Sequence, residues 1–142
     1  MMNIDEARKF VQDVFEGKKD LDGKPSYLHS IEVGSCGETE EEVLTGLLHD
    51  VIEDTSYTIE DLRSRGVPEN VLAALSLLTH DKEQSYDEYV NRIIESRNEL
   101  AIKTKLRDLK NNLQRNDRKT RQKEKIYQKH LKALEKIERA VG

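Results

Sequence analysis

Cysteine is almost missing from this chain. Cys36 stands alone, so no internal disulfide can form and the fold must hold by packing. With no base beside it in sequence, Cys36 reads as a helix-packing residue rather than a nucleophile. Tryptophan is absent and aromatics make up 5% of residues, which calls for an aliphatic core. Two prolines and seven glycines leave few breaks along 142 residues. There is no apolar run long enough to span a bilayer and no basic-then-apolar N-terminal leader. The expectation is a cytoplasmic protein with no membrane partner. Charged residues, at 37%, exceed hydrophobic ones, at 35%, so apolar side chains must be concentrated on the inner stripes of amphipathic helices. The length suits a single domain spanning residues 1–142.

The periodicity predicts helices throughout. Ile4 to Glu16 places Ala7, Phe10, Val11, Val14 and Phe15 on one stripe. Residues 18–26 read as a loop, and Tyr27 to Ser35 as a short helix carrying His29, its end weakened by Gly34. Thr39 with Glu42 forms a capping box that starts a helix bearing His49 and Asp50 near its far end. Thr58 with Asp61 starts a short helix ended by Gly66, and Pro68 in a first turn opens Glu69 to Leu78. Ser85 with Glu88 caps Tyr86 to Ser96, and Asn98 precedes a long helix with Asp108 and Asn112. No segment alternates as a strand, so the fold class is all-α.

The segment from Leu47 to Thr55 carries the chemistry, because it sets His49, Asp50, Glu53 and Asp54 in an otherwise apolar run. If it is helical, His49 and Glu53 lie one turn apart, with Asp50 and Asp54 one turn apart beside them. Buried carboxylates need a partner or a cation, and a divalent metal would offset their desolvation. The alternative is a solvated last turn, although acids there oppose the helix dipole. A second His-Asp pair, His80-Asp81, is followed by Lys82 and Gln84 and reads as surface or capping.

Two further blocks hold candidate ligands: Tyr27-Leu28-His29-Ser30-Ile31-Glu32-Val33, and Lys105-Leu106-Arg107-Asp108-Leu109-Lys110-Asn111-Asn112. Together with Gly23-Lys24-Pro25, the HDVIEDT run from His49 to Thr55 and the block from Ser85 to Val90, they resemble HD-domain metal-dependent phosphohydrolases. Within that superfamily the chain is similar to the hydrolase domain of RelA/SpoT homologues and their small stand-alone relatives. The resemblance implies a single HD-domain helical bundle in which His29, His49, Asp50 and Asp108 hold one divalent metal. That metal is typically Mn2+, with Fe2+ or Zn2+ also suited to mixed imidazole and carboxylate ligands. It further implies that Glu53 and Asp54 move protons, that Asn112 meets the nucleotide sugar and that Lys105 lies near the substrate phosphates.

The implied reaction is (p)ppGpp 3′-pyrophosphohydrolysis or a close relative of it, on a small phosphorylated nucleotide. The alternatives are an NADPH 2′-phosphatase or other nucleotide phosphatase, and a non-catalytic nucleotide-sensing or nucleic-acid-binding module. Relatives that cleave guanosine tetraphosphate carry an Arg-rich segment before the first histidine. Here that segment offers Lys18, Lys19 and Lys24, which can attract phosphates but stack and chelate less well than arginine.

Charge is divided along the chain. Residues 103–142 hold fourteen Lys or Arg against five Asp or Glu, a balance of +9, so with −4 overall residues 1–102 carry −13. The basic segment 118–142 reads as a C-terminal helix packed on the domain through Ile126, Leu131, Leu134, Ile137 and Val141. Its positive residues point around all faces, which disfavours a nucleic-acid partner. The opposed charges leave head-to-tail homo-oligomers open. His130 reads as part of that helix surface. Tyr86 and Tyr89 read as core packing with hydroxyls at the surface, Tyr57 as the better candidate to line a site, and Thr55 as a turn residue.

Overall fold

The protein is described here by a computed structural model covering residues 1–141. Nine helices make up the described residues: α1 (Ile4–Val14), α2 (Tyr27–Ser35), α3 (Glu40–Leu48), α4 (Val51–Asp54), α5 (Ile59–Ser64), α6 (Glu69–Leu78), α7 (Tyr86–Ser96), α8 (Glu99–Arg115) and α9 (Arg121–Val141). No strand occurs among them; one bridge, Lys19 to Pro25, closes the 18–26 loop.

Local chemistry sets most boundaries. Asn3, Thr58 and Ser85 form reciprocal capping boxes with Glu6, Asp61 and Glu88. Asn98 caps α8 through Ala101 N–H. The Thr39 box is only half made: Thr39 Oγ1 accepts from Glu42 N–H, while the buried Glu42 carboxylate misses Thr39 N–H, accepts from Glu38 N–H at 3.5 Å and the Thr39 hydroxyl at 3.4 Å, and pairs with Arg107 Nη2, 2.7 Å off on α8. Burial would raise the Glu42 pKa, and Arg107 outweighs it and lowers it. Pro68 sits one position before the first turn of α6 rather than inside it. The first helix stops at Val14, short of Glu16.

α3 is the central element, packing against α1, α2, α6 and α8. Leu44, Leu47, Leu48 and the following Val51 are all buried. Each contributes about 1.5–3 kcal/mol of apolar burial. One core gathers around α1, α3, α5 and α6, and a second joins α6 and α7 to α8 and α9. The basic α9 lies on α7 and α8 through Ala133, Leu134 and Ile137.

Gly34 does more than weaken the end of α2. It faces Gly46 of α3 so closely that a Cβ on Gly46 would stand 2.8 Å from Gly34 Cα. Only two glycines allow the backbones to approach this far, and the approach brings His29 beside His49. Cys36, just past α2, is exposed rather than packed. Gly46→Ala is expected to force the helices apart, costing about 1–3 kcal/mol and lowering the melting temperature by roughly 2–10 °C. An unchanged thermal unfolding curve would refute the close-approach argument.

Candidate functional site

The end of α3 is not a continuous helix. It closes at Leu48, and His49 and Asp50 form a turn before the four-residue α4. The break re-aims the side chains, so the single helical face expected for His49 and Glu53 does not exist. His49 points inward and is buried, Asp50 lies beside it, and Glu53 reaches across to accept a 2.7 Å hydrogen bond from His80 N–H.

His29 and His49 meet edge to face with ring centroids 5.1 Å apart. Each has its Nδ1 taken by an oxygen. His49 Nδ1–H donates to Gly46 carbonyl at 2.6 Å, one of the carbonyls that α3 leaves free at its end. His29 Nδ1–H donates to Asn111 Oδ1 at 2.6 Å. The orientation of that amide is fixed, because Asn111 Nδ2 donates to the Glu32 carboxylate, which can only accept. Both rings therefore present Nε2 to the acids. Donor atoms of His29, His49 and Asp50 all lie within 4.8 Å of one another.

Asp108, from α8, stands outside that group of three but against both rings. Its Oδ1 is 2.7 Å from His29 Nε2 and 3.4 Å from His49 Nε2, and accepts from Asn112 Nδ2 at 3.0 Å. Its Oδ2 accepts from Lys105 Nζ at 2.9 Å. Burial pushes the Asp108 pKa up, but Lys105 and the two histidines outweigh it and hold it well below the carboxylate range. Burial would likewise lower His49, yet Asp50 and Asp108 hold it well above an ordinary histidine. The donor set, two imidazole nitrogens with carboxylates and with both far ring nitrogens tied to oxygens, fits a divalent transition metal. The buried His49 Nε2, which has no hydrogen-bond partner, is the atom such an ion would satisfy.

These residues line a cavity of about 310 Å³. Glu53, Lys105 and Asn112 also face it. Asp54 does not: its carboxylate lies outside the cavity, and its backbone carbonyl accepts from Lys18 Nζ at 2.9 Å. Burial, then repulsion from Asp50 and Glu53, raises the Asp54 pKa to about 6. Lys18 is thus occupied outside the cavity. Lys19 lines an adjoining groove of about 420 Å³, and Lys24 is exposed in the loop. The groove meets the cavity at Asn112 and His130.

Several residues read from sequence as packing or surface belong to the cavity. His80 lines it, stacked on Tyr89 at 4.8 Å with Nε2 at 2.8 Å from the Gln84 carbonyl. Tyr86 and Tyr89 line it too, with hydroxyls buried rather than at the surface; Tyr89 donates to the Leu78 carbonyl at 2.7 Å. His130 and Lys129 enter from α9. Tyr57 does not line the cavity and packs on Phe10 at 5.1 Å instead. Asn111 escaped the sequence reading, although its place three residues after Asp108 put it on an adjacent stripe of α8. No sequence signal pointed to Lys129, which reaches the cavity only through the tertiary fold.

No family model matches this chain, and no curated protein matches it. Among solved structures it is similar to a metazoan orthologue of SpoT, described as hydrolysing ppGpp and playing a role in starvation responses. The two share 24% identity and superpose with a TM-score of 0.74, over 94% of this chain and 84% of the other. The all-α bundle expected from the sequence is the fold this chain shares with that neighbour.

Because the folded Asp54 pKa of about 6 lies above its ordinary 3.8, the folded chain holds more protons between those values, and stability falls as pH rises through that window. In chelator-treated protein, Asp54→Asn is expected to remove that fall and to gain about 1 kcal/mol at pH 7, after allowance for solvent screening. Melting temperatures of the two proteins from pH 4 to 7 check this; parallel profiles would count against it.

Proposed function

We propose that this chain is a metal-dependent phosphohydrolase acting on a phosphorylated nucleotide, with (p)ppGpp 3′-pyrophosphohydrolysis as its leading reaction. The observation that carries the reading is the buried donor group of His29, His49 and Asp50, both rings fixed with Nε2 toward the acids. Asp108 completes it as fourth ligand. A divalent cation bound there, Mn2+ by resemblance, would supply Lewis acidity toward water and a phosphoryl oxygen.

The chain's own residues do the rest. Glu53, anchored by His80 N–H, accepts a proton from the water whose oxygen attacks phosphorus. The P–O bond to the leaving group breaks, and that proton, returned, neutralises the departing oxygen. Asp54, its pKa raised to about 6, exchanges the proton with solvent. Lys105 uses one of its three donors on Asp108 and keeps the others for phosphate oxygens. A cavity of about 310 Å³ is at the lower limit of ligand sites. It suits the phosphorylated end, with Asn112 at the join where the nucleoside passes into the groove.

No described helix is long and apolar enough to cross a membrane, in keeping with a freely diffusing nucleotide as substrate.

The test is phosphate or pyrophosphate release with manganese from guanosine tetraphosphate, NADPH and common nucleotides. Release from one of them, abolished in His49→Ala, is expected. Asp108→Ala is expected to weaken metal binding by about 100-fold or more while helicity by circular dichroism persists. Protein that carries metal but releases nothing from any of these compounds would overturn the nucleotide assignment, and protein that takes up no metal would overturn the mechanism.

A further inference from the structure

Arg107, Lys110, Asn111 and Gln114 recur at three- and four-residue spacing and so form one polar stripe of α8. Between that stripe, Cys36 just past α2, and Tyr127 and Leu134 of α9 runs a groove of about 550 Å³. It shares no lining residue with the cavity that holds His29 and His49. Its volume falls within the range of small-molecule sites, roughly 300–1,000 Å³. Leu113, Tyr127 and Leu134 give it an apolar lining, and no acidic side chain lines it.

The two cations of the groove are not fully used. Arg107 Nη2 pairs with Glu42 at 2.7 Å, but Nη1 is buried with no hydrogen-bond partner. Folded proteins leave few buried donors in that state. Glu42 also has Lys103 at 3.9 Å, so one carboxylate already answers two cations. Lys110 is exposed and makes no ion pair among the described residues. A guanidinium and an ammonium three residues apart thus border a groove with no acid in it, and both can only donate. Two such groups match the two oxygens of a carboxylate. A phosphate monoester would bring a second negative charge with no cation left for it.

We propose that this groove binds a small carboxylic acid with an apolar body, its carboxylate at Arg107 and Lys110 and its body on Leu113, Tyr127 and Leu134, and that the ligand acts on the His29 cluster through Asn111. Among the described residues Asn111 alone both lines the groove and hydrogen-bonds a member of that cluster: its Oδ1 holds His29 Nδ1 at 2.6 Å, and its Nδ2 donates to Glu32 at 2.5 Å. A ligand that draws on the Asn111 amide competes with the contacts that orient His29. The effector role rests on reading the cluster as a metal site; the binding groove does not.

Cys36 is the only thiol in the chain and lines the groove, so its alkylation reports occupancy. Full-length protein, chelator-treated and dialysed, is reacted with uncharged iodoacetamide in the presence of 2-naphthoate or of uncharged 2-naphthalenemethanol. At saturation 2-naphthoate is expected to slow alkylation by about fivefold or more. The alcohol should need about tenfold higher concentration for the same effect. Lys110→Met should erase that difference and Lys110→Arg keep it, each rate being compared with that of the same variant without ligand. Lys110 is exposed, so both variants should melt near wild type. No protection by 2-naphthoate, or an unchanged difference in Lys110→Met, overturns the binding site. Manganese affinity, measured calorimetrically, is expected to change by about fivefold or more when 2-naphthoate fills the wild-type groove, and not to change in Lys110→Met. Equal affinities in wild type overturn the effector role. If Cys36 is protected but manganese does not bind with or without 2-naphthoate, the groove stands, and the metal reading and the effector role fall together.

Discussion

The carboxylate of Asp108 is the constraint on which this structure turns. It is buried, and a carboxylate out of water is tolerated only where positive charge and donors surround it. Here His29, His49, Lys105 and Asn112 all converge on its two oxygens. Those partners come from three helices, so the need to satisfy one anion fixes how α2, α3 and α8 sit against each other. The pair formed by Glu42 and Arg107 repeats the device one residue earlier on α8, locking the start of α3 to it. A site and a fold are specified by the same charges, and loss of either anion leaves buried cations without partners.

Backbone geometry supplies what electrostatics cannot. The contact of Gly34 with Gly46 lets α2 and α3 approach until two imidazoles touch edge to face. The turn at His49 and Asp50 then ends α3 where its last carbonyls are free, and one of them orients His49. A longer α3 would have satisfied that carbonyl internally and left the ring tautomer undetermined. The helix break that spoils a simple periodic picture is what gives His49 a defined Nε2.

Most of the helical architecture was legible in the sequence because it rests on local chemistry: the boxes at Thr58 and Ser85, the Asn98 cap and the apolar stripe of α1 act within four residues. The residues His29, His49, Asp50 and Asp108 were legible by resemblance, and the fold brings them together. What escaped depends on distant segments. Glu42 misses the Thr39 N–H of a full box and pairs with Arg107, sixty-five residues on. His80 and His130 were read as surface because nothing near them in sequence reveals the cavity they face. Lys18 was read as a phosphate group's partner, but its ammonium is held by the Asp54 carbonyl. Cys36 was read as packed because hydrophobic character alone does not say which side of a helix end meets solvent.

The division of charge along the chain gains a spatial meaning from α9. The acidic first part supplies Asp50 and Glu53, whereas the basic last part supplies Lys105 and Lys129 to the same cavity. A site built only from acids would hold a cation but repel a phosphate; one built only from lysines would do the reverse. Folding a +9 segment against a −13 segment brings both signs to one small cavity. Arg115 and Lys123, paired with Asp20 and Asp22, extend the same complementarity to the 18–26 loop and hold it against α8 and α9. The charges that close the fold around the groove are therefore already spent on one another.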